Sequence, residues 1–234
     1  MNRRCVLSIA ALFASTILAE NSTVAQPAVT LQELLRQMDA HDQARAESLK
    51  GYTCLRRYSL ENHRFHKKAE LNVRMTYTSP GHKKFEVLSE QGAAILRQRV
   101  LRPMLDAEEE AGRDDIRPRT RMVEANYTFK LLGEEQQQGH VAYLLQVAPK
   151  TRNKFLIRGK VWVDAKDFGI IRVEASPAQS PSVLLHNTRV IQESRRYHDV
   201  WLPLFNHSNT DSFLFGHTEV SIDSWDYKVT VDPN

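Results

Sequence analysis

Cysteine is nearly absent: Cys5 and Cys54 are the only two in 234 residues. A single pair cannot build a disulfide scaffold, and Cys5 lies in a stretch that reads as a removable leader. The folded part is expected to keep Cys54 alone and to take its stability from packing and sheet hydrogen bonds. Charge of one sign is also lacking. Thirty-two basic residues stand against 28 acidic ones, a formal net charge of +4. So mild a balance excludes both a nucleic-acid footprint and a strong anionic-membrane patch. The basic pairs Arg56-Arg57 and Arg195-Arg196 are too few to change that. After the leader, no apolar run approaches the ~20 residues of a membrane-crossing helix.

Motifs that carry chemistry are missing as well. There is no G-x-S-x-G, no phosphate-binding loop and no dinucleotide fingerprint. Cys54 has no recognisable partner for nucleophilic work and reads as an inert thiol. The acidic run DAEEEAGRDD, Asp106 to Asp115, lacks the spacing of a calcium loop and reads as a solvated helix end. Of nine histidines, His63 and His66 form an H-x-x-H near Glu61, but in a polar turn and with no third ligand indicated. His186, His198, His207 and His217 are spread singly over late strands. No catalysis, metal or cofactor is expected.

What is present starts with the leader. Two arginines in MNRRC precede the apolar VLSIAALFASTILA, and ENSTVAQ follows, with Ala19 or Ala25 before a cut. This pattern predicts a signal peptide over residues 1–25. No lipobox cysteine follows the run, so a soluble exported protein is expected rather than a lipoprotein. Residues 26–30 read as a linker, 31–231 as one domain with a sizeable core, and 232–234 as a tail.

LQELLRQMDAHDQARAESL, Leu31 to Leu49, places Leu31, Leu34, Leu35 and Met38 at helical spacing. Thr30 with Glu33 resembles a capping box, and Gly51 is placed to end the helix. The period then changes to two. YTCLRRYSL and AELNVRMTY read as strands, SPG as a reversal and KKFEVLS as a return strand. A helical insertion follows over Ala93–Gly112, broken or kinked at Pro103. The charged RDDIRPRTR reads as an exposed connection that helps a lid close. Strands resume with NYTFKLL, then EEQQQG as a turn, HVAYLLQVA, a hairpin over Lys154–Ala175, VLLHNTRVIQE, RRYHDVWLP, LFNHSNTDSFLF and TEVSIDSWDYKV. Short connections without crossover helices predict antiparallel neighbours in a meander of about ten or eleven strands. The predicted class is α+β, mainly antiparallel β. A sheet that large must curl or close, and only two helical segments are available to cover it. A curved, unclosed barrel with the N-terminal and inserted helices across its mouth satisfies both demands and encloses a cavity.

The order of elements, with the hairpin GKVWVDAKDFGIIRVE, resembles the LolA/LolB/RseB-like family of periplasmic lipoprotein carriers and lipid-binding sensors. Gly159, Val161, Trp162, Val163, Asp164, Phe168, Ile171, Arg172 and Glu174 carry the resemblance, which spans roughly Leu31 to Val231. It implies a periplasmic, half-open barrel whose apolar cavity accepts the acyl chains of a lipoprotein or lipid, with a membrane-bound donor or acceptor protein as partner. No gating residue of the family maps onto this chain.

The residues themselves allow the same reading. An acyl site needs apolar lining and few polar anchors, because burial yields about 0.8 kcal/mol per methylene. The dry-face candidates are Leu71, Val73, Met75, Phe85, Val87, Phe129, Val141, Tyr143, Leu145, Phe155, Ile157, Val161, Ile171 and Val173. The alternative is a filled barrel that acts through its surface as an envelope interaction or sensor protein.

Overall fold

The computed structural model describes residues 29–180 and 185–231. The expected leader over 1–25, most of the linker, Val183 and Leu184 of one expected strand, and the tail lie outside them. Helix α1, Leu31–Ser48, starts where Thr30 turns its hydroxyl to the Glu33 amide at 3.2 Å. The reciprocal half of the capping box does not form, since the Glu33 carboxylate accepts from Arg36 and Gln37 instead. The chain then runs straight into β1, Leu49–Asn62, so Gly51 lies in a strand and does not end the helix. It is required there by contact: a Cβ would stand 2.6 Å from the Tyr77 carbonyl oxygen.

Strands β2, Lys67–Thr78, and β3, His82–Gly92, complete an N-terminal hairpin set. Then comes the insertion: α2, Ala94–Leu96, a π-helical turn over Arg97–Leu101, and α3, Arg102–Ala111. Pro103 does not break the rod. Its ring has no N–H and crowds the carbonyl four residues back, and the wider turn ahead of it, closed by Arg102 N–H to the Arg97 carbonyl, relieves this. A short 3₁₀ turn, Arg117–Arg119, follows. Seven strands finish the chain: β4, Tyr127–Gln137; β5, His140–Pro149; β6, Ile157–Asp164; β7, Ile170–Pro177; β8, Leu185–Tyr197; β9, Val200–Ser212; and β10, Gly216–Val231. β4 absorbs most of the stretch expected as a turn, leaving Gln138 and Gly139 to reverse the chain at positive φ.

Among the described residues the ten strands form one antiparallel sheet in the order β3-β2-β1-β10-β9-β8-β7-β6-β5-β4. β1 pairs with β10 over most of its length, joining the first and last hairpins. β3 and β4 are successive in the chain yet are the two free margins, so the barrel is unclosed and the insertion is the segment that connects its edges. Apolar side chains collect under two covers. Leu34 and Met38 of α1 pack on Tyr143, Leu145, Val147, Val161 and Val163. Leu101 and Leu105 of the insertion pack on Tyr58, Leu60, Leu71 and Val73.

The β6–β7 hairpin turns at DAKDFG. Asp164 Oδ1 accepts from the amides of Lys166 and Asp167, and Asp167 Oδ1 from that of Gly169. A register irregularity beyond the turn shifts one β7 side chain to the other face. Trp162 pairs with Arg172 and Val163 with Ile170, which leaves Ile171 as an extra residue in β7.

Candidate functional site

Between α1 and the concave side of the sheet lies a cavity of 930 Å³. That is at the upper end of the ~300–1,000 Å³ of small-molecule sites. Its floor comes from β6 to β9: Ile157, Ile170, Val173, Ala175, Val190 and Pro203, with Gln192 and Ser194 as polar points. Leu35 and Met38 of α1 face it from above, and the connection Arg121–Ala125 adds Met122 and Val123. The deep wall is thus built from alternate positions of successive strands, which point to one face of a sheet.

The rim is charged. Arg121 donates to Asp39 at 3.0 Å and to Asp42 at 2.8 Å, tying the connection to α1 directly beside the cavity. These are partly exposed ion pairs, each worth about 0.2–1 kcal/mol. They hold the cover in place without locking it.

A second polar feature interrupts the interior. Arg56 points inward from β1 and is almost fully buried, at 3% exposure. Its guanidinium donates to Glu108 of α3 at 3.0 Å, and the same carboxylate accepts from Lys83 at 3.0 Å and from the Tyr58 hydroxyl at 2.8 Å. Burial alone would raise the Glu108 pKa, but the charges of Lys83 and Arg56 prevail and hold it at about 2. Next to this group, Tyr52 stacks on Tyr77 at 4.8 Å and meets Tyr227, while Cys54 is buried among them. The β1 sector is therefore filled, and the open volume lies on the β6–β9 side.

The sequence-derived candidates separate accordingly. Ile157 and Val173 line the cavity. Tyr143, Leu145 and Val161 are buried beneath α1 in the same apolar cluster, with Phe129 packed against it. Leu71 and Val73 are buried under the insertion, Phe85 and Val87 pack beside them, and Met75 belongs to the tyrosine-lined cluster. Phe155 stands in the turn before β6, with the Lys154 ammonium 4.6 Å from its ring. Ile171 occupies the opposite face of the sheet, buried with Trp162 and Trp201, because the extra residue in β7 reverses its side. Val141 is 45% exposed. Missed from the sequence were Leu35, Met122, Ile170, Ala175, Val190 and Arg121. The alternation Val190, Gln192, Ser194 carries too little apolar character to mark a wall, and Arg121 gives no local signal of a partner some 80 residues earlier.

No protein-family model matches the chain, and no curated protein matches it. Among solved structures it is similar to an outer membrane lipoprotein-sorting protein domain from Vibrio parahaemolyticus. That likeness has 12% identity over 85% of this chain and 93% of the other, with a TM-score of 0.42. A DUF1329 family protein from Desulfovibrio piger is similar at 12% identity over 87% and 94%, TM-score 0.45. A LolA superfamily protein from Nitrosomonas europaea is similar at 15% identity over 88% and 96%, TM-score 0.37. With every TM-score below 0.5, these likenesses decide nothing about function. What the chain shares with the LolA/LolB/RseB-like family is the layout expected from its sequence, an unclosed antiparallel sheet with helices over its concave side. Among the described residues no helix is long and apolar enough to cross a membrane.

Proposed function

We propose that residues 31–231 form a single periplasmic binding domain that holds an acyl-bearing ligand, the hydrocarbon chain of a lipid or lipoprotein, in the cavity beneath α1, without chemistry. The observation that carries this reading is the cavity itself: 930 Å³ with a floor of aliphatic side chains and charges gathered at its rim. Each methylene moved from water to such a floor gains about 0.8 kcal/mol, so a chain of moderate length binds without a dedicated polar anchor. Ile157 and Val173 contribute floor surface, and the buried candidates under α1 support it from behind. The Arg121 tie to Asp39 and Asp42 opens for loading and reforms over the guest. A membrane-bound donor or acceptor would work at this rim.

The test is uptake of a fluorescent fatty acid, together with mass spectrometry of lipid that copurifies. Saturable probe binding that is lost in Val173→Trp and Val190→Trp, with melting temperatures held, supports the reading. No uptake by the unaltered chain would overturn it in favour of a protein that acts through its surface alone.

A further inference from the structure

Away from the cavity, on the outer face of the sheet, the β1–β2 turn and β10 bring together two histidines and a carboxylate that are far apart in the chain. The β1–β10 ladder extends one step past its last strand pair, through the His63 amide to the His217 carbonyl at 3.0 Å. Side chains opposite each other in an antiparallel pair share a face, so His63 lies beside His217, with ring centroids 5.3 Å apart. Glu219, two residues on, lies on that face too. His63 Nε2 and His217 Nε2 each stand 3.3 Å from the same oxygen, Oε1 of Glu219. One ligand atom from each of the three residues falls within 4.8 Å of the others.

This spacing has a specific meaning. Zinc–ligand bonds of about 2.0–2.2 Å to imidazole nitrogen and carboxylate oxygen give a tetrahedral edge of about 3.4 Å. Both nitrogen–oxygen separations match that edge. His217 also has the support that metal-binding imidazoles usually have. Its Nδ1 lies 2.9 Å from Asp211 Oδ1 on β9, so with Nδ1–H donating there, Nε2 presents its lone pair to the site. Asn187 in turn donates to Asp211 at 3.3 Å. The three ligands are 41–46% exposed, which leaves a fourth position open to solvent.

We propose that His63, His217 and Glu219 form a three-ligand site for a late first-row divalent cation of the zinc class, with Asp211 as the positioning residue for His217. The donor set of two imidazoles and one carboxylate suits zinc and its neighbours and is too nitrogen-rich for calcium or magnesium. The site joins the β1–β2 turn to β10 and does not depend on the acyl-binding reading.

The experiment is a titration of the chelator-treated chain with Zn²⁺ by calorimetry and with Co²⁺ by visible absorption. Expected are one equivalent of Zn²⁺ bound with micromolar or tighter Kd, and an intense tetrahedral Co²⁺ band. His217→Ala and Glu219→Gln should each weaken binding at least 10-fold. Asp211→Asn should weaken it about 10- to 100-fold while keeping the Co²⁺ band shape, and His41→Ala, on α1, should change nothing. All four positions are exposed or half-buried, and circular dichroism of the metal-free variants checks that each is folded. Absence of stoichiometric binding overturns the proposal, as does binding that His217→Ala leaves intact.

Discussion

Arg56 of β1 and Glu108 of α3 stand 3.0 Å apart, the first almost fully enclosed and the second half-buried. The contact, with Lys83 and the Tyr58 hydroxyl on the same carboxylate, joins the sheet to the insertion beside the apolar cluster of Leu101 and Leu105. Removing one partner leaves a charge in a dry place, which costs about 3–5 kcal/mol. Glu108→Gln should therefore destabilise the protein by about 3 kcal/mol at pH 7 in urea unfolding. Because the folded carboxyl titrates at about 2, below the ordinary 4.5, its contribution is complete above the unfolded value and lost as pH falls toward 2. The gap between wild type and Glu108→Gln should shrink between pH 5 and pH 2. A gap that does not change over that range would refute the assignment.

Arg121 bridges to Asp39 and Asp42 across the rim. Exposed pairs contribute little to stability, so Arg121→Ala should move the melting temperature by no more than a few degrees. Its effect should fall on kinetics: several-fold faster release of a fluorescent fatty acid in stopped flow. Added salt should speed the wild type in the same direction.

Cys54 is 2% exposed, and burial pushes its thiol pKa up. In a Cys5→Ser chain, Ellman's reagent should find no reactive thiol in buffer and one full equivalent in denaturant. Rapid labelling of the native protein would mean that the tyrosine-lined cluster is open.

Gly159 sits in β6 against β7, where a Cβ would come 2.1 Å from the Glu174 carbonyl oxygen. Gly159→Ala should cost about 1–3 kcal/mol through forced backbone displacement. At about 2–4 °C per kcal/mol for a chain of this size, calorimetry would register it as a clear drop in melting temperature.

Much of the architecture was legible from period alone. The switch from helical spacing in α1 to alternation in β1 and β2 marks both elements, and the scarcity of helix implies an open, covered sheet. The outward and inward sides of individual residues were less legible. Ile171 and Val173 share a parity in the sequence, and only pairing with β6 reveals the extra residue that puts them on opposite faces. Glu108, within a run that reads as solvated, is drawn inward by Arg56, which reads only as half of a basic pair on a strand. The His63–His217–Glu219 group was illegible for the same reason. His63 and His66 look like neighbours by spacing, whereas strand register places His63 beside a residue from the other end of the chain.

The unpaired margins of β3 and β4 also bear on how the protein yields. Parting them would break no rung of the sheet, because among the described residues no rung joins them. What resists is the strap between them, fastened by Arg97 and Arg102 to Glu90 and by Arg121 to α1, together with its apolar footing at Leu101 and Leu105. Any resistance to parting these two margins would therefore have to come from the strap and its footing, not from the hydrogen bonds of the sheet.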